Sequence, residues 1–410
     1  MRPMPLVLAG SVLLASATGL ALWTEQSAAV SPFKPKVPVF EVDATWPKPF
    51  PNDPVTGRPW VPGEVAGTCV DSRDTVIIVT RGNLIGNEVG KATPAPPIME
   101  FDTEGNTVAA WGDRNVLPNG IHGCFVDYQD NIWIAGNGDG IVQKYSRKGA
   151  LLLQIGTRGV CDNPPANTCG NSGSNPLANL SHTLLNQPAD MWVDPGPDPV
   201  TGQRGSIYIA DGYGNHRVVV FSATGQYLRQ WGGVAGTVSN PVTDYPALFG
   251  AGDGGHPHCV VGGNDGLMYV CDRQNDRIQV FTKTGGLVRV MAVVPGTGQT
   301  QGPGGTAPRG IIGSAWDLDF SNDTQQTFMF EADGGNENLL IMDRVAGGIL
   351  SKFGQPGRQA TQFTYLHSVA KDSKGNLYTG ETIEGRRIQK FRHVQCNNGN
   401  GLGIGLGNCN

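Results

Sequence analysis

A repeated pattern of short strands constrains this chain more than any other feature of its sequence. Each copy has an apolar strand ending in Asp or Gly, a turn, a strand of β-branched or aromatic residues, a polar loop and a further strand. The copies follow one another at intervals of roughly 50 to 70 residues, and four strands per unit at that spacing are typical of a β-propeller. The six copies are anchored at Ala66, His122, Ala189, His258, Ser314 and His367. The sequence therefore predicts an all-β fold, a six-bladed β-propeller.

The composition excludes several other classes of protein. The 410 residues include 59 Gly and 29 Pro, and an interior glycine costs a helix about 1 kcal/mol relative to alanine, which excludes a helical bundle. Hydrophobic residues make up 39% and charged residues 16% of the chain, which excludes a long disordered protein. The net charge is −5 and there is no basic stretch, so we expect no nucleic-acid partner.

The last copy of the pattern is incomplete, because it ends after its third strand, near Phe391. The segment PVFEVDATW, residues 38–46, alternates like a strand, and we expect it to close the ring as the outer strand of the last blade. The predicted organisation is a signal peptide over residues 1–29, the closing strand and a Pro-rich lead-in over 30–62, the propeller over 63–394, and a Gly/Asn-rich tail over 395–410.

The first residues have the order of an export signal. Arg2 precedes an apolar run over residues 5–23, and the small residues Ser27 and Ala29 follow it. The run is also near the minimum length of a membrane span, so an uncleaved anchor is the alternative, and contact with a membrane is expected only in that form. In both cases the propeller is expected to be exported, either to the periplasm or as a secreted protein.

Eight cysteines agree with an exported protein, since an even number in that setting indicates disulfides. Cys161 with Cys169 and Cys396 with Cys409 are candidates for short-loop bridges. The pairing of the remaining four stays open. A thiolate metal site is disfavoured because no CxxC motif occurs.

Three of the seven histidines occupy one position of the repeat. When the units are aligned on the Asp-like residue that ends the first strand, His122, His258 and His367 lie five residues upstream in blades two, four and six. The odd blades carry small residues there, namely Ala66, Ala189 and Ser314. Alternate blades of a six-fold ring converge on its axis, so we expect three imidazoles to meet and bind a metal with one open position. Such a set is typical of catalytic zinc, although iron and copper also accept imidazole. The alternative is that they are channel-lining histidines bonded to water or backbone.

The loop after the second strand of a blade lies on the same face as these histidines. It carries Arg81, Tyr213 and Arg273 in blades one, three and four. Two cations and a phenol beside a metal suit an anionic substrate, since arginine binds a carboxylate through two hydrogen bonds and a nearby cation lowers the pKa of a tyrosine. The alternative for each is a surface salt bridge or a stacked turn residue, which is our interpretation of Arg217 and Arg277.

The stretches ADGYGNHRVVVF, residues 210–221, and HCVVGGNDGLMYVCDRQNDRIQVF, residues 258–281, resemble the NHL-type six-bladed propellers. Within them the chain is similar to the peptidyl-α-hydroxyglycine α-amidating lyases, or peptidylamidoglycolate lyases, over roughly residues 38–394. The resemblance implies a zinc held by the three register histidines. It also implies that Tyr213, tuned by Arg81, moves a proton and that Arg273 orients a carboxylate. The implied reaction cleaves the C–N bond of a carbinolamide, an N-(α-hydroxyglycine) unit with a carboxylate, to an amide and glyoxylate.

The chain departs from the pattern of that family at three positions. Ser368 replaces an aspartate that helps hold a structural calcium, which weakens the expectation of Ca²⁺, although backbone carbonyls near Thr68 and Cys124 remain candidate ligands. Gly214 replaces a cysteine, so that disulfide is not expected. Tyr365 stands in place of a methionine, and we expect it to narrow or polarise the pocket.

Two other functions remain open from the sequence. One is a non-catalytic extracytoplasmic propeller that binds a protein or glycan across one face. The other is a propeller hydrolase of the lactonase type that uses calcium, which the histidines disfavour because calcium prefers oxygen ligands. The insert over residues 163–182, between blades two and three, is interpreted as a solvated loop, with a role in shaping access to the site as the alternative.

Overall fold

The computed structural model describes residue 1 and residues 36–170, 175–236, 238–250, 256–297 and 313–394. The described part of the chain is almost entirely β, with 26 strands and two 3₁₀ turns at Gly86–Glu88 and Arg273–Asn275. Twenty-four of the strands form six four-stranded antiparallel sheets, and the other two form a small parallel pair, β2 (Trp60–Val61) with β5 (Thr93–Pro94). The prediction of an all-β, six-bladed propeller is confirmed.

In blades one to five the strands follow one another in chain order from the centre of the ring outwards, and in blade six the N-terminal strand β1 is the outer strand. Blade one comprises β3 (Val65–Val70), β4 (Val76–Thr80), β6 (Ile98–Phe101) and β7 (Thr107–Trp111). Blade two comprises β8 (Ile121–Val126), β9 (Ile132–Gly136), β10 (Ile141–Tyr145) and β11 (Leu151–Gly156). Blade three comprises β12 (Asp190–Val193), β13 (Ile207–Asp211), β14 (Arg217–Phe221) and β15 (Tyr227–Gly232). Blade four comprises β16 (Cys259–Gly262), β17 (Leu267–Asp272), β18 (Arg277–Thr282) and β19 (Leu287–Ala292). Blade five comprises β20 (Asp317–Phe320), β21 (Phe328–Asp333), β22 (Asn338–Asp343) and β23 (Ile349–Phe353). Blade six comprises β24 (Leu366–Lys371), β25 (Leu377–Glu381), β26 (Arg387–Val394) and β1 (Val39–Val42).

The ring closes as the sequence predicts. Strand β1 pairs antiparallel with β26, with Val39 opposite Val394 and Val42 opposite Phe391. Phe40 of this strand packs edge-on against Phe330 of blade five. The N-terminal strand therefore completes blade six and also seals its contact with blade five.

The core lies between adjacent blades. Strands β4, β9 and β13 are buried at every position, because both faces of a middle strand are covered by neighbouring blades and alternation between apolar and polar residues is lost. Apolar clusters join neighbouring sheets, as where Met329 of blade five packs with Val280 of blade four. Each fully buried aliphatic side chain contributes about 1.5–3 kcal/mol, so the ring of clusters holds the blades in fixed positions around the axis.

Blade five differs from the expected register by two residues. A backbone hydrogen bond closes the turn after the first strand of each blade, from Asp127 to Asn131 in blade two and from Ser321 to Phe328 in blade five. The residue five positions before Ser321 is Trp316, so the prediction that Ser314 occupies the histidine register is wrong. That prediction counted back from Asp319 as the turn residue of blade five. The Asp319 carboxylate instead accepts hydrogen bonds from the backbone and side chain of Lys371.

Arg217 and Arg277 form salt bridges as expected, but these lie inside the protein rather than at its surface. The side chains are 1% and 0% exposed and bind Asp211 and Asp272 at 3.0 and 2.7 Å. Each ion pair spans the turn between the second and third strands of its blade. These turns carry Tyr213 and Arg273, so the buried ion pairs fix the backbone that presents both candidate site residues.

Three disulfides form in the described part of the chain, and every cysteine there is paired. The predicted bridge Cys161–Cys169 is confirmed, while Cys69–Cys124 joins the inner strands of blades one and two and Cys259–Cys271 joins β16 to β17. Such bridges indicate an oxidising, extracellular environment. The proposed Cys396–Cys409 bridge, the tail and almost all of the predicted signal segment lie outside the described residues.

Part of the insert between blades two and three packs on the propeller, contrary to its interpretation as a solvated loop. Ala178 is 5% exposed, and the Asn179 side chain accepts a hydrogen bond from the His216 backbone at 2.6 Å. Within the described residues, no helix has the length and apolar character needed to cross a membrane.

Candidate metal centre

His122, His258 and His367 come together on the propeller axis. One ring nitrogen from each lies within 4.8 Å of the other two, and the ring centroids are 4.5–5.0 Å apart. The three histidines occupy equivalent positions in blades two, four and six, and they are 2–4% exposed. The structure therefore brings the three predicted residues together in an arrangement that can hold one metal ion.

Backbone carbonyls of the following blades orient the rings. Nδ1 of His122 lies 2.8 Å from the Ala189 oxygen, and Nδ1 of His258 lies 2.6 Å from the Trp316 oxygen. Because a carbonyl only accepts hydrogen bonds, Nδ1 must carry the proton in both rings. Their Nε2 atoms are then left with free lone pairs for a metal, as in many zinc sites.

His367 completes the pseudo-threefold arrangement, and its ring is held less firmly than those of His122 and His258. The backbone of Ala66 interacts with this ring, although Nδ1 of His367 has no hydrogen-bond partner of ordinary geometry among the described residues. Ala66, Ala189 and Trp316 occupy the register position in the odd blades. The odd blades thus supply the carbonyls that hold the histidines of the even blades.

The electrostatic setting keeps the three imidazoles neutral. Burial lowers the pKa of each ring well below the ordinary histidine value, and nearby positive charges act in the same direction. The Arg273 guanidinium is the largest of these charges for His258, and that of Arg81 for His367. Neutral imidazole is the form that binds metals, so protons compete little for the three rings at neutral pH.

The hydroxyl of Tyr213 lies directly against the histidines. It is 3.0 Å from Nε2 of His122 and 3.1 Å from Nε2 of His258. Nη1 of Arg273 donates to the same hydroxyl over 3.2 Å. The single O–H can satisfy only one of the two nitrogen lone pairs that face it, so the donor set has an excess of lone pairs that a cation would satisfy.

Arg273 is a buried cation with an unusual environment. It is 3% exposed, and no carboxylate within the described ranges forms an ion pair with it. Burial lowers the pKa of its guanidinium, and its Nε has no hydrogen-bond partner among the described residues. An unpaired buried charge is costly, and such costs concentrate at functional sites, where a ligand supplies the counter-charge.

Arg81 lies beside the site but is already paired. Its Nη1 is 2.5 Å from Oε2 of Glu64, and its Nε donates to the Ile121 oxygen at 3.3 Å. The Arg81 guanidinium is near enough to lower the pKa of His367. The cation in hydrogen-bond contact with Tyr213 is Arg273, so the expectation that Arg81 tunes this tyrosine is not supported by direct contact.

Trp316 is a site residue that the sequence reasoning missed. It is 1% exposed, its ring centroid lies 5.7 and 5.6 Å from those of His258 and His367, and the Arg273 guanidinium lies 4.5 Å above its ring. Trp316 could have been identified from the sequence if blade five had been aligned on Ser321, which occupies the turn position that is Asp in most other blades.

Two carboxylates were missed as well. Asp190 and Asp317 follow the register position in blades three and five and line the same central cavity, of about 220 Å³, as the histidines. Burial raises the pKa of Asp190 to about 7. Burial, together with the charge of Asp190, raises the pKa of Asp317 well above the ordinary value, so the two titrate as an interacting pair.

Ser368 does not leave a gap where the related family carries aspartate. Its hydroxyl is 3.0 Å from that of Thr68, and both residues are buried. Calcium is bound mainly by carboxylate and carbonyl oxygens, and a pair of neutral hydroxyls provides no negative charge for it.

The remaining histidines lie outside this cluster. His256, a loop residue as expected, is held by Asp272 and Gln274. His182 stacks on Tyr227 with ring centroids 3.8 Å apart. His393 contacts Phe40 at the closing strand, and His216 is buried in the turn after Tyr213.

Comparison with known proteins confirms the resemblance seen in the repeat. No protein-family model matches the chain. NHL repeat-containing protein 3 of Homo sapiens is 29% identical over 371 residues, which cover 86% of this chain and 84% of that protein. Peptidyl-glycine alpha-amidating monooxygenase B of Xenopus laevis is 27% identical over 335 residues, covering 78% of this chain and 33% of that enzyme. The chain thus spans about a third of that relative's length.

A solved structure supports the fold alone. A protein of unknown function from Bacteroides thetaiotaomicron superposes with a TM-score of 0.52 at 13% identity, covering 87% of this chain and 76% of that one.

Proposed function

We propose that this chain is a zinc-dependent lyase that cleaves the C–N bond of an N-(α-hydroxyglycine) carbinolamide, releasing an amide and glyoxylate. The observation that carries the proposal is the meeting of three neutral histidines, the Tyr213 hydroxyl and a buried arginine that has no ion-pair partner among the described residues. The similarity to proteins named as amidating monooxygenases supports an amide-forming reaction.

The donor set suits zinc. Three imidazoles without a carboxylate, fixed from behind by backbone carbonyls, match a catalytic site that keeps a position open for substrate. When bound, zinc supplies Lewis acidity that lowers the pKa of the substrate hydroxyl. Calcium is not part of the proposal, since Ser368 contributes a neutral hydroxyl rather than a carboxylate.

Arg273 binds the carboxylate of the substrate. Its guanidinium is buried beside the histidines, and its Nε has no protein partner among the described residues. A substrate carboxylate would accept hydrogen bonds from it and neutralise it. Arg81 acts at longer range, because Glu64 already compensates its charge.

Tyr213 transfers the proton that the reaction requires. Cleavage converts the carbinol C–O bond to a carbonyl while the C–N bond electrons pass to nitrogen, so the hydroxyl proton must end on the departing amide nitrogen. The Tyr213 hydroxyl lies within 3.1 Å of two candidate ligand nitrogens and can relay it over a short distance. Atoms and electrons balance without a redox cofactor.

We further propose that the protein acts after export, in the periplasm or as a secreted protein. Three disulfides within the propeller and the apolar segment over residues 5–23 support this location.

Metal analysis combined with a product assay tests the proposal. Purified protein should hold about one equivalent of zinc and release glyoxylate from an α-hydroxyglycine amide. His258→Ala should lose both the metal and the activity, while His182→Ala, a histidine stacked away from the site, should keep both. Zinc-loaded protein that releases no glyoxylate, or a fully active His258→Ala variant, overturns the proposal.

A non-catalytic propeller that binds a protein or glycan is the second candidate. Its support is that NHL repeat-containing protein 3 of Homo sapiens, whose name gives a repeat and no reaction, matches this chain over most of both lengths. This candidate predicts no stoichiometric metal and unchanged partner binding when the three histidines are replaced, so the same metal analysis separates the two functions.

A further inference from the structure

The counter-ion of Arg273 is missing from the described part of the protein, whereas other buried arginines have one. Arg217 and Arg277 bind aspartates at 3.0 and 2.7 Å. Among the described residues, the guanidinium of Arg273 instead has only the Tyr213 hydroxyl as a hydrogen-bond partner, with an aromatic ring 4.5 Å from its guanidinium carbon. Within the described residues, a hydroxyl and an aromatic ring, rather than a carboxylate, therefore contact this cation.

That ring belongs to Trp316, which is itself tightly fixed. Its Nε1 donates to the Gly313 oxygen at 2.6 Å, and its backbone N–H donates to Oε1 of Glu331 at 3.2 Å. Gly313 has φ +87°, and a Cβ there would lie 1.9 Å from the Arg273 oxygen. Only glycine permits this approach, so the segment that anchors the indole packs directly on the backbone of the arginine it supports.

Stacking and ion pairing hold a guanidinium in different ways. A carboxylate occupies the N–H edge, whereas an aromatic ring contacts the planar face and leaves the N–H edge available. The indole lies beside His258 and His367, so the available edge is in the same pocket as the metal ligands.

We propose that Trp316 is a positioning residue that fixes the guanidinium of Arg273 for an incoming carboxylate and so gives the site its preference for anionic substrates. The inference rests on the proposed function in assigning that carboxylate to the substrate. A cation–π contact at a desolvated site is worth enough to shift anion affinity by roughly tenfold.

The test measures binding without turnover, by calorimetry on the full-length zinc-loaded protein. The probes are N-benzoylglycine and its carboxamide, which differ only at the carboxyl end, where one has an anionic carboxylate and the other a neutral amide. Wild-type protein should bind the carboxylate more tightly, and Trp316→Leu should lose about tenfold of that preference, with zinc content unchanged. Trp316→Phe, which keeps an aromatic face, should retain most of it. Trp231→Leu, in the outer strand of blade three, is the matched control and should behave as wild type.

Tryptophan fluorescence provides a second readout if the leucine variant is unstable. N-benzoylglycine should alter the fluorescence of wild type but not that of Trp316→Phe, and the carboxamide should alter neither. Three results would each overturn the inference. They are an unchanged carboxylate preference in folded Trp316→Leu, a fluorescence response of Trp316→Phe equal to that of wild type, and no carboxylate preference in wild type. A negative glyoxylate assay with an intact carboxylate preference overturns the lyase function and leaves the role of Trp316 standing.

Discussion

Arg273 donates a hydrogen bond from Nη1 to the hydroxyl of Tyr213 across 3.2 Å, and this bond joins two blades at the propeller axis. The arginine comes from the turn after β17, and the tyrosine from the turn after β13. Because the hydroxyl also faces two histidine nitrogens, a residue suited to binding anions and one suited to moving protons are held in register with the candidate metal ligands.

Removing the Tyr213 hydroxyl should affect chemistry more than binding. We expect Tyr213→Phe to lower kcat by about 100- to 10,000-fold, the usual contribution of a general acid–base group, with a small change in KM. Zinc content should be unchanged, because the three imidazoles stay in place. Steady-state kinetics of glyoxylate release measures this, with Tyr227→Phe as control. A loss of zinc in Tyr213→Phe would instead identify the tyrosine as a metal ligand.

The two arginines should differ in their contribution. Arg273→Gln removes a buried charge that has no ion-pair partner among the described residues, and it should raise KM for a carboxylate substrate by about 10- to 100-fold, as for a charged hydrogen bond. Arg81→Gln should raise KM less, by about threefold to tenfold, because Glu64 already compensates the charge of Arg81.

The double variant Arg81→Gln/Glu64→Gln checks this reasoning. It should be closer to wild type than Arg81→Gln alone, since no unpaired Glu64 carboxylate then remains beside the site. KM values for the four proteins form the measurement, and a larger effect at Arg81 than at Arg273 would contradict the assignment of the carboxylate to Arg273.

Much of the fold was readable from the sequence because a propeller repeats one unit. The register of His122, His258 and His367 followed from counting back from the turn residue, and the pairing of β1 with β26 followed from the missing strand of the last copy. Repetition failed at blade five, where Ser321 replaces the turn aspartate and Asp319 lies two residues earlier. That displacement placed Ser314, rather than Trp316, at the register position.

Burial and the pairing of side chains could not be predicted from the sequence. The buried Asp272–Arg277 ion pair looks in sequence like any polar turn, and the Arg81–Glu64 contact joins residues 17 positions apart through their side chains. The disulfide Cys69–Cys124 depends on neighbouring inner strands lying side by side at the axis, a relationship that only the closed ring establishes.

Metal removal should lower stability through the three histidines alone. A ligand that binds only the folded state stabilises it by about 4 kcal/mol at a thousandfold excess over Kd. We therefore expect a chelator to lower the Tm of wild type and to leave the Tm of His258→Ala unchanged. Differential scanning calorimetry with and without zinc measures both. An equal chelator effect in the two proteins would indicate a metal site elsewhere in the chain.

The buried His216 should make the fold sensitive to mild acid. Burial, aided by the neighbouring His256, lowers the pKa of His216 to about 4, whereas an unfolded histidine has a pKa of about 6.5. Between these values the unfolded state binds the extra proton, so stability is complete above about pH 6.5 and falls as the pH drops towards 4, by about 3 kcal/mol in total. His216→Gln should lose less stability than wild type over this interval. Urea unfolding of metal-free protein at several pH values measures the difference, and equal pH slopes in the two proteins would show that His216 does not carry the effect.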